Sequence, residues 1–151
     1  MRHIMPLFVI IAIMKEQVLI DLLNISLAPV FVLAVHFLFS YTTDLYTTIW
    51  WLDSPMHFMG GIAIGISSIV LFCILINYKL LKIKGAGLPI LFALAVTALA
   101  ATLWEFGEFF IDTVLGNTLQ PTVADTMKDM ALGLLGGIVG SVATILFAEK
   151  K

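Results

Sequence analysis

At 151 residues the chain has room for one domain, and 61% hydrophobic residues with a mean hydropathy of +1.09 exclude an ordinary soluble protein. The formal net charge of -2 is small, and the basic residues form no stripe with interleaved aromatics, which excludes a nucleic-acid groove as the partner surface. The single cysteine, Cys73, excludes an intrachain disulfide and a cysteine-based zinc site.

In chain order, the apolar run from Ile4 to Met14 is interrupted at Lys15-Glu16-Gln17 and is short for a membrane span, so residues 1–17 are expected as an N-terminal interfacial segment. No small-residue cleavage site follows it, which argues against a signal peptide. Four longer stretches then meet the need for about 20 mostly apolar residues: Val18 to Tyr41, Met56 to Asn77, Leu88 to Ile111 and Thr126 to Phe147. The expected fold is an all-α integral membrane four-helix bundle, its transmembrane domain covering residues 18–151.

Lys79, Lys82 and Lys84 separate the second and third spans, Lys150 and Lys151 follow the fourth, and Arg2 and Lys15 precede the first. The positive-inside rule makes those ends cytoplasmic, in a bacterial-type cytoplasmic membrane, with Thr42 to Pro55 and Asp112 to Thr122 facing out. Trp50 and Trp51, with Tyr41 and Tyr46, then mark the outer interface. Asp53, His57, Glu105, Glu108, Asp112, Asp125 and Asp129, with His36, all fall toward that same outer level. Ionisable groups at such depth usually face a bundle interior or a water-filled cavity.

Ser54-Pro55 has the form of a helix start, with Ser54 as cap, and Thr122-x-x-Asp125 has the form of a capping box. Gly116-Asn117 and Gln120-Pro121 supply turn chemistry between the third and fourth spans. Helical spacing places His57, Gly61 and Gly65 on one stripe, and Asp129, Gly133, Gly137 and Ser141 on another. Small-xxx-small ladders let membrane helices approach closely, so packing of these two stripes draws His57 and Asp129 to one seam. Glu105 stands above Ala101 and Thr97 on the third span, and Glu105, Glu108 and Asp112 share a face. The glycine ladders are also a route to a homo-oligomer. Lys128 is expected to pair with a neighbouring carboxylate.

The elements Asp53-Ser54-Pro55-Met56-His57-Phe58, Glu105-Phe106-Gly107-Glu108 and Asp125-Thr126-Met127-Lys128-Asp129, with Gly133 and Gly137 behind the last, resemble in that order the VanZ-like superfamily of small membrane proteins and its YjdF-type branch. The likeness covers roughly Trp50 to Gly140. VanZ-like proteins often carry an arginine before the third element, where Gln120-Pro121-Thr122 stands here. The resemblance implies a compact helical membrane protein, and for some VanZ-like members a link to glycopeptide resistance at the cell envelope.

Carboxylates and imidazole converging from several helices form the ligand set a bundle uses for a metal pair. Asp53, His57, Glu105, Glu108, Asp125 and Asp129 are the candidate metal ligands, with His36 as a further one, and Fe, Mn, Zn or Mg suits the set. A metal at that level would serve a metal-dependent enzyme, hydrolytic in class, acting on a membrane lipid or lipid-linked substrate, with Glu105 and Glu108 as the candidate catalytic bases. Two other classes stay open: a proton- or cation-coupled transporter or channel, and a structural or partner-binding network of hydrogen-bonded polar groups.

Overall fold

The computed structural model describes residues 7–42, 45–82, 85, 87–116 and 119–148, with side chains from Glu16 onward apart from those of 41, 42 and 47. Arg2, His3, Lys84, Asn117, Lys150 and Lys151 lie outside the described residues. The elements are α1 (Leu7–Thr42), the single turn α2 (Leu45–Thr48), α3 (Asp53–Asn77), α4 (Gly87–Leu115) and α5 (Val123–Ala148). Four of them are long and apolar enough to cross a membrane, and the expected all-α membrane bundle is what forms. A helix of 25 residues such as α3 rises about 37 Å, enough to cross a hydrocarbon core of about 30 Å.

The packing inverts that of a soluble protein. Leu27 and Phe31 on α1 and Leu103, Phe106 and Phe110 on α4 point outward, while the buried apolar residues are Ala63, Ile69, Phe72 and Ala93. With lipid outside, outward leucine and phenylalanine carry no penalty, and helix association relies on close backbone contact through small residues. α3 is central: it lies against α5 most extensively, and against α1 and α4, while α5 also packs on α4.

The α3–α5 seam is the tightest. A methyl group added to Gly65 would stand 2.5 Å from the carbonyl oxygen of Gly137, and one on Gly61 would collide with the carbonyl of Gly133. The two expected stripes therefore meet. Thr97 on α4 closes on Gly137 from the other side, and Ala101 closes on Gly133. A second ladder not picked out in the sequence, Gly136 and Gly140, seats the carbonyls of Phe58 and Ile62 of α3. These glycine faces are used inside the protomer.

Several local expectations change. Residues 7–17, expected as a separate interfacial segment, continue α1 without a break, because Lys15, Glu16 and Gln17 are good helix formers and interrupt hydropathy only. α3 begins at Asp53, and Ser54 does not cap it: Leu52 holds the cap position in helical conformation with no side-chain bond. Pro55 is accommodated because the first-turn amides have no intrahelical acceptor to lose. Thr122 does cap α5, its hydroxyl accepting the Asp125 amide at 3.1 Å. α4 runs on past Ile111 to Leu115 and stops at Gly116, whose φ of +70° suits a residue without a side chain and whose amide donates to the Asp112 carbonyl.

Candidate functional site

The polar residues gather at the end of the bundle where α3 and α5 begin and α4 approaches its finish. On the first turn of α3 the i, i+4 spacing sets Asp53 beside His57, with Oδ1 3.5 Å from Nε2. From α4, Glu105 brings Oε1 to 3.8 Å from the other imidazole nitrogen, Nδ1. Glu108 follows on the same helix, where its Oε1 accepts a 2.8 Å hydrogen bond from the Trp104 indole N–H. From α5, Asp125 and Asp129 approach on successive turns, and Lys128 between them bonds Asp125 and stands 3.4 Å from Asp129 Oδ1.

Among the described residues two sets of ligand atoms result. One atom each from Asp53, His57 and Glu108 lie within 4.8 Å of one another, and so do one oxygen each from Asp53, Asp125 and Asp129. Asp53 belongs to both. Glu105 falls in neither set; its Oε2 and its backbone carbonyl instead accept bonds of 2.7 and 2.8 Å from the Gln120 side-chain amide. Glu105 and Asp129 are 4% and 3% exposed, and Glu105 Oε1 and Asp129 Oδ1 make no hydrogen bond, only the longer approaches to His57 and Lys128. Buried polar atoms are nearly always satisfied, and an exception is commonly explained by an ion or water.

Two expected members stand apart. Asp112 faces the loop, where its two carboxylate oxygens accept the amides of Leu119 and Gln120 at 2.8 Å each. Its role is to fold that loop back so that Gln120 reaches Glu105. His36 is in neither ligand set: its Nδ1 is 2.7 Å from the Tyr46 hydroxyl, and its ring packs edge-on against Trp104 with centroids 5.0 Å apart. Burial, with Asp53 and Glu108 adding to it, holds the Tyr46 phenol above its ordinary pKa, so the hydroxyl keeps its proton. Tyr46 is half-buried beside His36, whereas Trp50 and Trp51 are exposed.

Beside these groups lies a cavity of about 270 Å³ between α1, α3 and α4. Leu33, Ile64 and Ala100 give it apolar walls, and His36, Asp53 and His57 are among its polar lining. From Pro29 to His36 it follows about seven residues of α1, roughly 10 Å of helix rise.

The family described as predicted membrane protein (DUF2238) matches residues 1–150. The chain belongs to that family. Neither a curated protein nor a solved structure matches it. Membership of DUF2238 agrees with the four membrane-crossing helices and makes this an integral membrane protein.

Sequence reasoning missed Gln120, Trp104 and Tyr46, which hold Glu105, Glu108 and His36. Trp104 was accessible, since it stands four residues before Glu108 on one helix face. Gln120 and Tyr46 reach across the fold from loop and turn and leave no periodic signal. Asp21, inside the first expected span, lies at the opposite end of the bundle, where it accepts bonds from Gln17 and from the Tyr78 hydroxyl just beyond α3.

Proposed function

We propose that this DUF2238 protein is a metal-dependent membrane enzyme acting on an envelope lipid or lipid-linked substrate, with a divalent ion held by Asp53, His57 and Glu108. The observation that carries the proposal is that those three ligand atoms lie within 4.8 Å of one another and that two of their residues, Asp53 and His57, line an apolar cavity. An amphiphile matches that shape, with its tail along Leu33, Ile64 and Ala100 and its polar head at the ligands. Hard carboxylate oxygens with one imidazole suit Mn, Fe, Zn or Mg.

A bound divalent ion would polarise an ester or phosphoryl oxygen and make its water a better nucleophile, which favours hydrolysis as the reaction class. Glu105, buried and with Oε1 3.8 Å from His57 Nδ1, is the first choice for the proton acceptor, and Gln120 positions its other oxygen. Glu108 is assigned to the ion instead of the base role, because it shares the ligand set with Asp53 and His57. Lys79 and Lys82 follow α3 at the opposite end of the bundle, which by the positive-inside rule orients the site toward the outer leaflet and both termini toward the cytoplasm. The VanZ-like resemblance of the same three polar elements favours an envelope substrate.

The test is elemental analysis of protein purified in detergent, followed by incubation with membrane lipid extracts and mass spectrometry of the products. The expected result is a stoichiometric divalent ion, lost in Asp53→Asn and His57→Ala, and a lipid product that disappears on chelation. A protein that takes up no divalent ion and is indifferent to chelator in stability and turnover refutes the proposal. Ion flux through proteoliposomes that Glu105→Gln abolishes, without lipid turnover, assigns the same residues to transport.

A further inference from the structure

We infer that the gap between α1 and α4 is a lateral opening through which one hydrocarbon chain of a membrane lipid enters the cavity from the bilayer. This rests on the lipid reading above but not on the ion. The cavity is lined on α1 by Pro29, Val32, Leu33 and His36, and on α4 by Thr97, Ala100, Ala101 and Trp104. Each set follows i, i+3, i+4, i+7 and is therefore one helix stripe, about 10 Å long. α1 packs on α3 and α3 on α4, whereas α1 and α4 scarcely touch among the described residues. The stripes are bridged at their last members, where the His36 ring stands edge-on to Trp104 with centroids 5.0 Å apart. Along the rest of the stripes the third side of the cavity has no helix seam, and because both helices are long and apolar enough to cross the membrane, hydrocarbon is what faces it. At the far end Pro29 has no amide to donate to the Ile25 carbonyl, so α1 lacks a bond where the gap begins. No described side chain of α1 is buried, which puts this helix at the edge of the bundle.

The dimensions select a single chain that is not wholly enclosed. At the density with which an engineered cavity of about 150 Å³ takes up benzene, 270 Å³ holds roughly 11 carbons. One leaflet is about 15 Å of hydrocarbon, half of a core of about 30 Å, whereas each stripe covers about 10 Å. A lipid chain whose head lies at His36, Asp53 and His57 therefore fills the cavity with its end left over. A closed pocket could not take that chain, and one open to the bilayer can. Gly60 and Gly61 on α3, facing Ala100 and Ala101 on α4, supply the width, because side chains this small leave the space between the helices free.

Phosphatidylglycerol with a diazirine midway along one acyl chain, photolysed in nanodiscs of phosphatidylethanolamine and phosphatidylglycerol that hold the full chain, tests the opening by peptide mass spectrometry. Label is expected on Met56 and Ile64, which line the cavity from α3, as well as on outward residues such as Leu103 and Phe106. Ala100→Phe fills the gap and should lower the Met56 and Ile64 label about tenfold or more, while Leu99→Phe, at an exposed position on the same helix, leaves it unchanged. Leu33→Trp closes the gap from α1 should Ala100→Phe fail to fold. Label confined to outward residues in the wild type, or cavity label that neither filling variant lowers, overturns the inference; a stoichiometric divalent ion in the same preparation would leave the proposed metal site standing. Cavity label in a protein that takes up no divalent ion upholds the opening and refutes the proposed function.

Discussion

Replacing Gly65 by alanine tests the seam on which the site depends. The added methyl would lie 2.5 Å from the Gly137 carbonyl oxygen and 3.0 Å from its Cα, whereas ordinary contact begins at 3.4 Å. Neither neighbour is a flexible side chain, so α3 and α5 must separate by about 0.9 Å, the difference between 3.4 and 2.5 Å. Over-packing of this kind costs about 1–3 kcal/mol, and a gap of that size takes a quarter to a half of the dispersion well from contacts along the seam. Gly60→Ala is the matched control on the same helix, because nothing lies within 4 Å of its added methyl. It should gain up to about 1 kcal/mol of helix propensity. The same propensity gain applies to both variants, so unfolding in mixed micelles, titrated with a denaturing detergent and followed by tryptophan fluorescence, should separate the two by about 1–3 kcal/mol. If Gly65→Ala is as stable as Gly60→Ala, the helices do not approach as described and the convergence of α3 and α5 acids fails with them.

Gly60 also lines the cavity, so Gly60→Leu should fill it and lower lipid turnover at least about tenfold while leaving bound metal unchanged; undiminished turnover would place the substrate tail elsewhere. Thr122→Ala removes the cap of α5 and should cost about 1 kcal/mol in the same unfolding assay, and no change would mean that the Asp125 amide finds another acceptor. Asp112→Ala frees the amides of Leu119 and Gln120, whose hydrogen exchange should quicken by about tenfold or more; unchanged protection would show that the loop holds without the carboxylate.

Much of this site was legible because membrane helices make polarity scarce. Asp53 and His57, or Asp129 and Gly133, needed only the four-residue repeat of a helix to be placed on one line, and the glycines below them indicated which lines would touch. The helix ends were less legible. Asp53 and Asp112 read as lying just outside an apolar run, yet both are helical, because carboxylates can meet partners in the bundle interior or in a loop. The partition of the acids was beyond reach in the sequence: Glu105, Glu108 and Asp112 share a face but serve an imidazole and an amide, an indole, and a loop respectively. That division depends on which residues of other elements stand opposite, and periodicity within one helix carries no information about them.

The ligand atoms of both triads come from α3, α4 and α5 alone, whereas α1 rests chiefly on α3 and supplies one wall of the cavity. Under the proposed function, α1 therefore bears on the shape of the cavity without supplying a ligand. On that reading, changes along Pro29, Val32 and Leu33 would remodel which molecule is admitted while every proposed ligand stays in place.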